Sequence, residues 1–253
     1  MKTLTTLALG TAFLACSAWA DTLSMSDADK ALYSADENPG DLYIAKGEET
    51  FKKVVGKPAD LAIFLGVEPK MLGKEIATFP KFFPKANMVI GLDQMLQLYM
   101  DTKGQKPFKL SSNEMVEMSS YVKSLANDEK VAIMMNDAKV ASMHKLGEEL
   151  YNTRRGARGL SCNSCHSQGV LGMRLRMQEL PNLGAPTIKS GATWPAYRMT
   201  KSELTTMQKR FQGCMENSSQ AKLPLGSKEM VALEVYVSSL ANGQTIAIPG
   251  LKR

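Results

Sequence analysis

The chain has 253 residues, 44% of them hydrophobic, which is enough to bury a core and too apolar for a disordered chain. Its net charge is +6, yet it has few aromatic residues and no nucleic-acid-binding motif, so a nucleic-acid partner is excluded. Beyond the first twenty residues no apolar run is long enough to cross a bilayer, so no integral membrane segment is expected.

Residues 1–20 read as a secretory signal peptide. Lys2 gives the positive start, Leu7 to Ala15 the short apolar stretch, and Ala18-Trp19-Ala20 the small-residue cleavage site. Leu14-Ala15-Cys16 offers a competing lipidation site. Export to the periplasm follows from either. Asp21 to Leu42 has few large apolar residues and is expected to be a loose arm.

Two segments further on are copies of one another. Leu110–Ile133 reads LSSNEMVEMSSYVKSLANDEKVAI and Leu225–Ile248 reads LGSKEMVALEVYVSSLANGQTIAI, with 13 of 24 positions identical. Each carries apolar residues at helical spacing, Met115, Met118, Val122 and Leu125 in one and Met230, Leu233, Val237 and Leu240 in the other. Ser111 with Glu114 predicts a capping box at the start of the first, and Asn127 and Asn242-Gly243 predict the stops. Upstream, Ala45–Phe51 (AKGEETF) matches Lys145–Tyr151 (KLGEELY). The glycine in each lets a second helix approach closely, so an opening and a closing helix should cross in each half. Gly/Pro-rich loops lie between them, and strand signals are weak. The chain therefore reads as two tandem all-α domains, 21–137 and 138–253, produced by duplication. Carried into the middle of each half, the repeat sets Arg210 opposite Leu98 and Cys214 opposite Thr102.

Only the second half carries cofactor chemistry. Cys162-Asn163-Ser164-Cys165-His166 is a Cys-x-x-Cys-His motif. Two thiols at this spacing add to the vinyl groups of one haem c, and the adjacent imidazole reaches its iron. A structural zinc site would need a second ligand pair, and a dithiol redox motif would need a βαβ context. In the first half the corresponding stretch, Lys57–Glu68 (KPADLAIFLGVE), has neither cysteine nor histidine, so that half should be haem-free. A helix before the motif and another closing the domain make the second half similar to a class I cytochrome c. The candidates for the second axial ligand are Met173, Met177, Met199, Met207, Met215, His144 and Cys214. A thiol at Cys214 would bind as the anion, its pKa lowered by a ferric haem and nearby guanidiniums, and would lower the iron potential relative to methionine.

All eight arginines lie at or after Arg154. Clustered guanidiniums bind oxyanions bidentately, or simply solvate a face. If Arg210 and Cys214 share a helix they share a face, four residues apart. Gly213 predicts that this helix ends there, leaving Cys214 at a turn.

The segment 194–217 (WPAYRMTKSELTTMQKRFQGCMEN), with Tyr151–Gly156 and Leu160–His166, resembles SoxA, the haem subunit of the SoxAX cytochromes of bacterial sulfur oxidation. The resemblance covers nearly the whole chain after residue 20 and is most specific at Arg210-Phe211-Gln212-Gly213-Cys214. It implies that Cys214 is the distal haem ligand, often a persulfide in that family, and that Arg210 lies beside it in the active site, with Arg154, Arg155 or Arg198 as further oxyanion contacts. It also implies an L-cysteine S-thiosulfotransferase that joins thiosulfate to a thiol of a carrier protein of the SoxYZ type. Electrons would pass to a small haem c partner of the SoxX type. The chain resembles the single-haem members. A plain electron-transfer cytochrome with a methionine ligand, and a thiosulfate dehydrogenase forming tetrathionate, remain the competing readings.

Overall fold

The structure is a computed structural model that describes residues 38–167, 174–175, 178–185 and 190–252. The expectations for residues 1–20, including Cys16, and for Met173 and Met177 lie outside the described residues.

Helix α1 (Asp41–Val54) opens the first half, followed by α2 (Pro58–Leu65) and α3 (Leu72–Ile76). A hairpin of β1 (Lys81–Phe83) and β2 (Met88–Ile90) leads into α4 (Leu92–Thr102), and α5 (Asn113–Ser124) closes the half. The second half opens with α6 (Ala138–Asn152), capped by Asp137, and turns through the short α7 (Asn163–His166). A two-residue pair, β3 (Arg174–Leu175) and β4 (Gln178–Glu179), is followed by β5 (Ala196–Arg198), β6 (Glu203–Thr205), α8 (Met207–Asn217) and α9 (Lys228–Ser239). The last strand, β7 (Gly250–Lys252), lies parallel to β5, and β6 lies antiparallel on its other side.

The fold is therefore helical with small sheets, and the all-α expectation is corrected. The described strands are two or three residues long, too short for alternation to show in sequence. The cap of α5 is Ser112, one residue later than expected, accepting from the Met115 amide at 3.2 Å; Ser227 does the same for Met230 at 3.2 Å. Of the expected loose arm, 21–42, residues 21–37 lie outside the described residues, and the rest is ordered. Asn38 donates to the Pro249 carbonyl at 2.7 Å, and α1 already begins at Asp41.

The predicted crossings are present. α1 packs on α5, and α6 packs on α9. At Gly47 a β-carbon would stand 2.1 Å from the Glu117 carbonyl oxygen, and at Gly147 it would stand 2.0 Å from that of Ala232. The two contacts are the same contact twice, since Glu117 and Ala232 hold the same place in the repeat. Phe51 stacks on Tyr121 in one half as Tyr151 stacks on Tyr236 in the other, at centroid separations of 5.5 and 5.0 Å.

The halves join about an approximate two-fold axis. Asn127 clasps the backbone of Ile248 through both amide atoms at 2.8 Å. Its counterpart Asn242 clasps that of Ile133 at 2.8 and 3.1 Å. Lys130 and Thr245, equivalent residues, face each other in a β-bridge between these clasps. Beneath lies a polar cavity of ≈ 30 Å³ lined by equivalent pairs that include Phe79 and Trp194, Lys123 and Ser238, and Asp93 and Gln208. Burial raises the Asp93 carboxyl to about 6, while burial and the nearby Asp93 raise Glu234 to about 7. Burial lowers Lys123 to about 8.

The two halves share one register from the hairpin to the closing helix. α4 and α8 have equal length, and Gln97 donates to the Phe108 carbonyl at 2.7 Å just as Gln212 donates to that of Leu223 at 2.8 Å. The counterpart of Arg210 is thus Met95, and that of Cys214 is Tyr99. The expected pairing with Leu98 and Thr102 was three residues out: the offset that sets Leu110 against Leu225 carries without a gap to Met95 and Tyr99.

Two expectations follow. Gly147→Ala should destabilise the fold by about 1–3 kcal/mol or more, since backbone must move to admit the methyl; an unchanged denaturation midpoint would contradict the packing. Glu234 holds its proton in the folded state up to a higher pH than in the unfolded chain. Between about pH 5 and 7 the folded state therefore binds more protons, and stability falls as pH rises. In Glu234→Gln that part of the slope should vanish from urea midpoints measured across this window; equal slopes in both proteins would refute it.

Candidate functional site

The Cys-x-x-Cys-His motif is held as one helical turn. Ser161 and Ser164 exchange hydrogen bonds between amide and hydroxyl at 3.0 and 3.1 Å, and the amides of Cys165 and His166 donate to the Cys162 carbonyl at 3.1 and 3.0 Å. Residues three and four apart share a face of such a turn, so both thiols and the imidazole open on one side. They open on a cleft with ≈ 950 Å³ of empty space, its open mouth included, whose apolar wall includes Leu160, Leu180, Leu183 and Phe211. The thiols of Cys162, Cys165 and Cys214 are free. Burial raises Cys162 to about 11 and raises Cys165 as well.

His166 is oriented from behind. Its Nδ1 lies 2.8 Å from the Pro181 carbonyl oxygen, which fixes the proton on Nδ1 and leaves the Nε2 lone pair for a metal. Tyr151 donates to the His166 carbonyl at 3.3 Å and ties the turn to α6.

Across the cleft runs α8, which begins at its Thr206 cap and continues to Asn217. Cys214 is therefore inside the helix and not at a turn. One glycine costs a helix only about 1 kcal/mol, and the helix ends where Ser218 donates its amide and its hydroxyl to the Cys214 carbonyl, at 3.0 and 2.9 Å. A β-carbon at Gly213 would meet nothing within 4 Å.

The Cys214 thiol is in contact with the His166 imidazole. Burial pushes its pKa up, but the His166 contact and the charges of Arg210 and Arg198 outweigh this, and the net shift is downward. Arg198, on β5, is only 6% exposed. Burial and then the like charge of Arg210 push it down to about 10, while Cys214 acts the other way. Two guanidiniums and an acidified thiol thus lie within electrostatic reach of one another, and of the three Arg210 and Cys214 line the cleft.

The other expected residues fall as follows. Arg154 is exposed, and Arg155 lies near Cys162. Met215 lines the cleft but is buried among Tyr151, Met230 and Leu233, a different direction from its neighbour Cys214. Met207 is buried under α9, where Ser238 approaches its sulfur at 3.9 Å, and Met199 packs with Tyr197 and Leu204. His144 stacks on Tyr236 at 5.1 Å and does not line the cleft. Two contributors were not singled out from the sequence. Pro181 acts through its carbonyl, which no side-chain pattern reveals. Arg158 lines the cleft and donates to the Asn217 carbonyl at 3.3 Å, and its only signal was the crowding of arginines after position 153.

These residues fit a covalently held haem. Paired thiols and an oriented imidazole face an apolar cleft, and the buried Nε of Arg155, near Cys162, has no acceptor among the described residues, as suits a donor to an anionic group such as a propionate. A turn of this kind opening on an apolar cleft defines a c-type cytochrome. More narrowly, the chain belongs to the SoxA/TsdA cytochrome c domain family, whose model matches residues 46–131 and 146–246. It is 32% identical to the L-cysteine S-thiosulfotransferase subunit SoxA of Hydrogenophilus thermoluteolus over 100% of this chain and 99% of that one. It is 29% identical to a subunit of the same name from Hydrogenobacter thermophilus, over 85% of this chain and 82% of that one. The crystal structure of SoxXA from P. pantotrophus shares the fold, with a TM-score of 0.74 and 21% identity over 91% of this chain and 85% of that one. A cytochrome c domain carries covalently bound haem c. Among the described residues no helix is long and apolar enough to cross a membrane.

Proposed function

We propose that this chain is a SoxA-type L-cysteine S-thiosulfotransferase subunit, which joins thiosulfate oxidatively to a cysteine thiol of a SoxYZ-type carrier protein. The reaction balances as R–SH + S₂O₃²⁻ → R–S–S–SO₃⁻ + H⁺ + 2e⁻. The bond formed is sulfur to sulfur, and the thiol and the sulfane sulfur are oxidised together. One haem, when bound, supplies a single one-electron acceptor, so a two-electron oxidation calls for a second, the place of a SoxX-type haem c partner. Cys162 and Cys165 would hold that haem, with His166 and Cys214 as its axial ligands. Arg210 and Arg198 supply fixed positive charge near the sulfur, matched to a doubly negative substrate.

The observation that carries this reading is the placement of Cys214, in contact with His166 across the cleft and one helical turn from Arg210. The packing of the first half supports a single haem. Tyr99 occupies the place that Cys214 holds in the second half, fully buried between Phe51 and Phe64, its hydroxyl donating to the Val55 carbonyl at 3.1 Å. A phenol and two phenyl rings fill the space there. We therefore keep two domains, 21–137 without haem and 138–253 with one. Residues 1–20 would direct export to the periplasm.

Low-spin ferric EPR should show a thiolate-type signal that Cys214→Ala abolishes. A methionine-type near-infrared band unchanged by that substitution would instead make the chain a plain electron carrier. Arg210→Leu should raise KM for thiosulfate by roughly 10–100-fold, the cost of a lost charge-assisted contact; an unchanged KM would remove Arg210 from the site.

A further inference from the structure

Helix α8 is tied at its C-terminal end within the second half, and at its N-terminal end to both halves. At the C-terminal end the second half holds it. Gln212 reaches the Leu223 carbonyl, Arg158 reaches the Asn217 carbonyl, and Gln220, just beyond the helix, reaches the Leu160 carbonyl beside the paired-cysteine turn. At the N-terminal end the ties run into the first half through a chain of amides.

The chain begins at Gln94 on α4. Its Oε1 accepts from the Gly91 amide at 3.0 Å and its Nε2 donates to the Gly226 carbonyl at 2.9 Å. The amide of the same Gly226 donates to Gln208 Oε1 at 2.8 Å, and Gln208 Nε2 donates to Glu234 at 2.6 Å. Only one orientation of each glutamine satisfies both of its partners, so each amide is fixed by its neighbours. Gly226 has φ +74, and a β-carbon there would lie 2.7 Å from Leu110 Cδ1, so the peptide is wedged between the halves. Gln208 is only 5% exposed. Asp93, beside Gln94, adds an attraction to Lys209.

This chain breaks the two-fold symmetry of the seam. The counterparts of Gln94, Gly226 and Gln208 are Lys209, Ser111 and Asp93. A lysine cannot accept a hydrogen bond and an ionised aspartate cannot donate one, so the same chain cannot form in reverse. It runs one way, from the first half to the helix that carries Arg210 and Cys214.

The geometry points to a positioning role for the first half: through Gln94, Gly226 and Gln208 it sets the placement of α8, and with it Arg210 and Cys214 relative to His166. The inference rests on the reading of Arg210 and Cys214 given above. Gln208 is a positioning residue and need touch neither substrate nor haem. A helix is stiff over eleven residues, so a shift at Gln208 is carried to Arg210 and Cys214 on the same rod.

The test uses the haem-loaded protein with its partner subunit. Gln94→Glu keeps the acceptor for Gly91 and removes the donor to Gly226, which separates local capping from the relay. Gln208→Leu cuts the relay at its other end, and Gly47→Ala, which disturbs the first half away from the relay, is the destabilised control. Amide hydrogen exchange across 209–214, the ferric EPR signal and KM for thiosulfate are measured where all variants remain folded. Both relay variants should speed exchange across 209–214, split or shift the EPR signal and raise KM several-fold, while Gly47→Ala lowers only the melting temperature. If the relay variants lose thermal stability like Gly47→Ala but keep wild-type exchange, EPR and KM, the first half is only a structural support and the inference is wrong. Faster exchange with an EPR signal that Cys214→Ala also leaves unmoved would uphold the relay and overturn the ligand reading instead.

Discussion

Everything in this molecule hangs on a helix crossing so close that a backbone carbonyl of one helix occupies the space of a missing side chain on the other. At Gly147 that carbonyl belongs to Ala232. The contact fixes α6 against α9, and α6 in turn delivers Tyr151 to the paired-cysteine turn. The same crossing at Gly47 builds the first half. Because both crossings use equivalent residues, the halves present matching edges, and the clasps of Asn127 and Asn242 close the seam from each side in turn.

The two halves repeat one helical scaffold, and side-chain size separates them. The helix that bears Cys214 in the second half bears Tyr99 in the first. One is a small thiol beside an open cleft; the other is a phenol packed between aromatic rings, with its hydroxyl spent on a backbone carbonyl. The hairpin and the helix that follows it have the same lengths in both.

The electrostatics of the second half show what the cleft is prepared for. Burying one guanidinium beside another is unfavourable, and Arg198 and Arg210 tolerate it next to a sulfur whose anionic form they favour. A site with that surplus of fixed positive charge favours a doubly charged anion over a neutral molecule. The polar cavity on the seam lies at the other end of α8, where Gln208 meets Glu234, so the helix that carries the charge spans from one buried polar cluster to the other.

Elements whose chemistry is local are legible in the order of residues. Cys162, Cys165 and His166 are adjacent in the chain, and the four-residue spacing of Arg210 and Cys214 places them together on any helix. The repeat and both crossing glycines were equally legible, because a missing side chain is visible in sequence. Folding sets the distance between segments far apart in the chain. It brought Cys214 rather than Met215 to face His166, since adjacent residues on a helix point about 100° apart and only packing chooses between them. It carried α8 through Gly213 and chose Arg198 from the arginines as the one near Arg210. It also enlisted the Pro181 carbonyl and the Gly226 peptide, backbone groups that every residue type carries and that only a folded chain can aim.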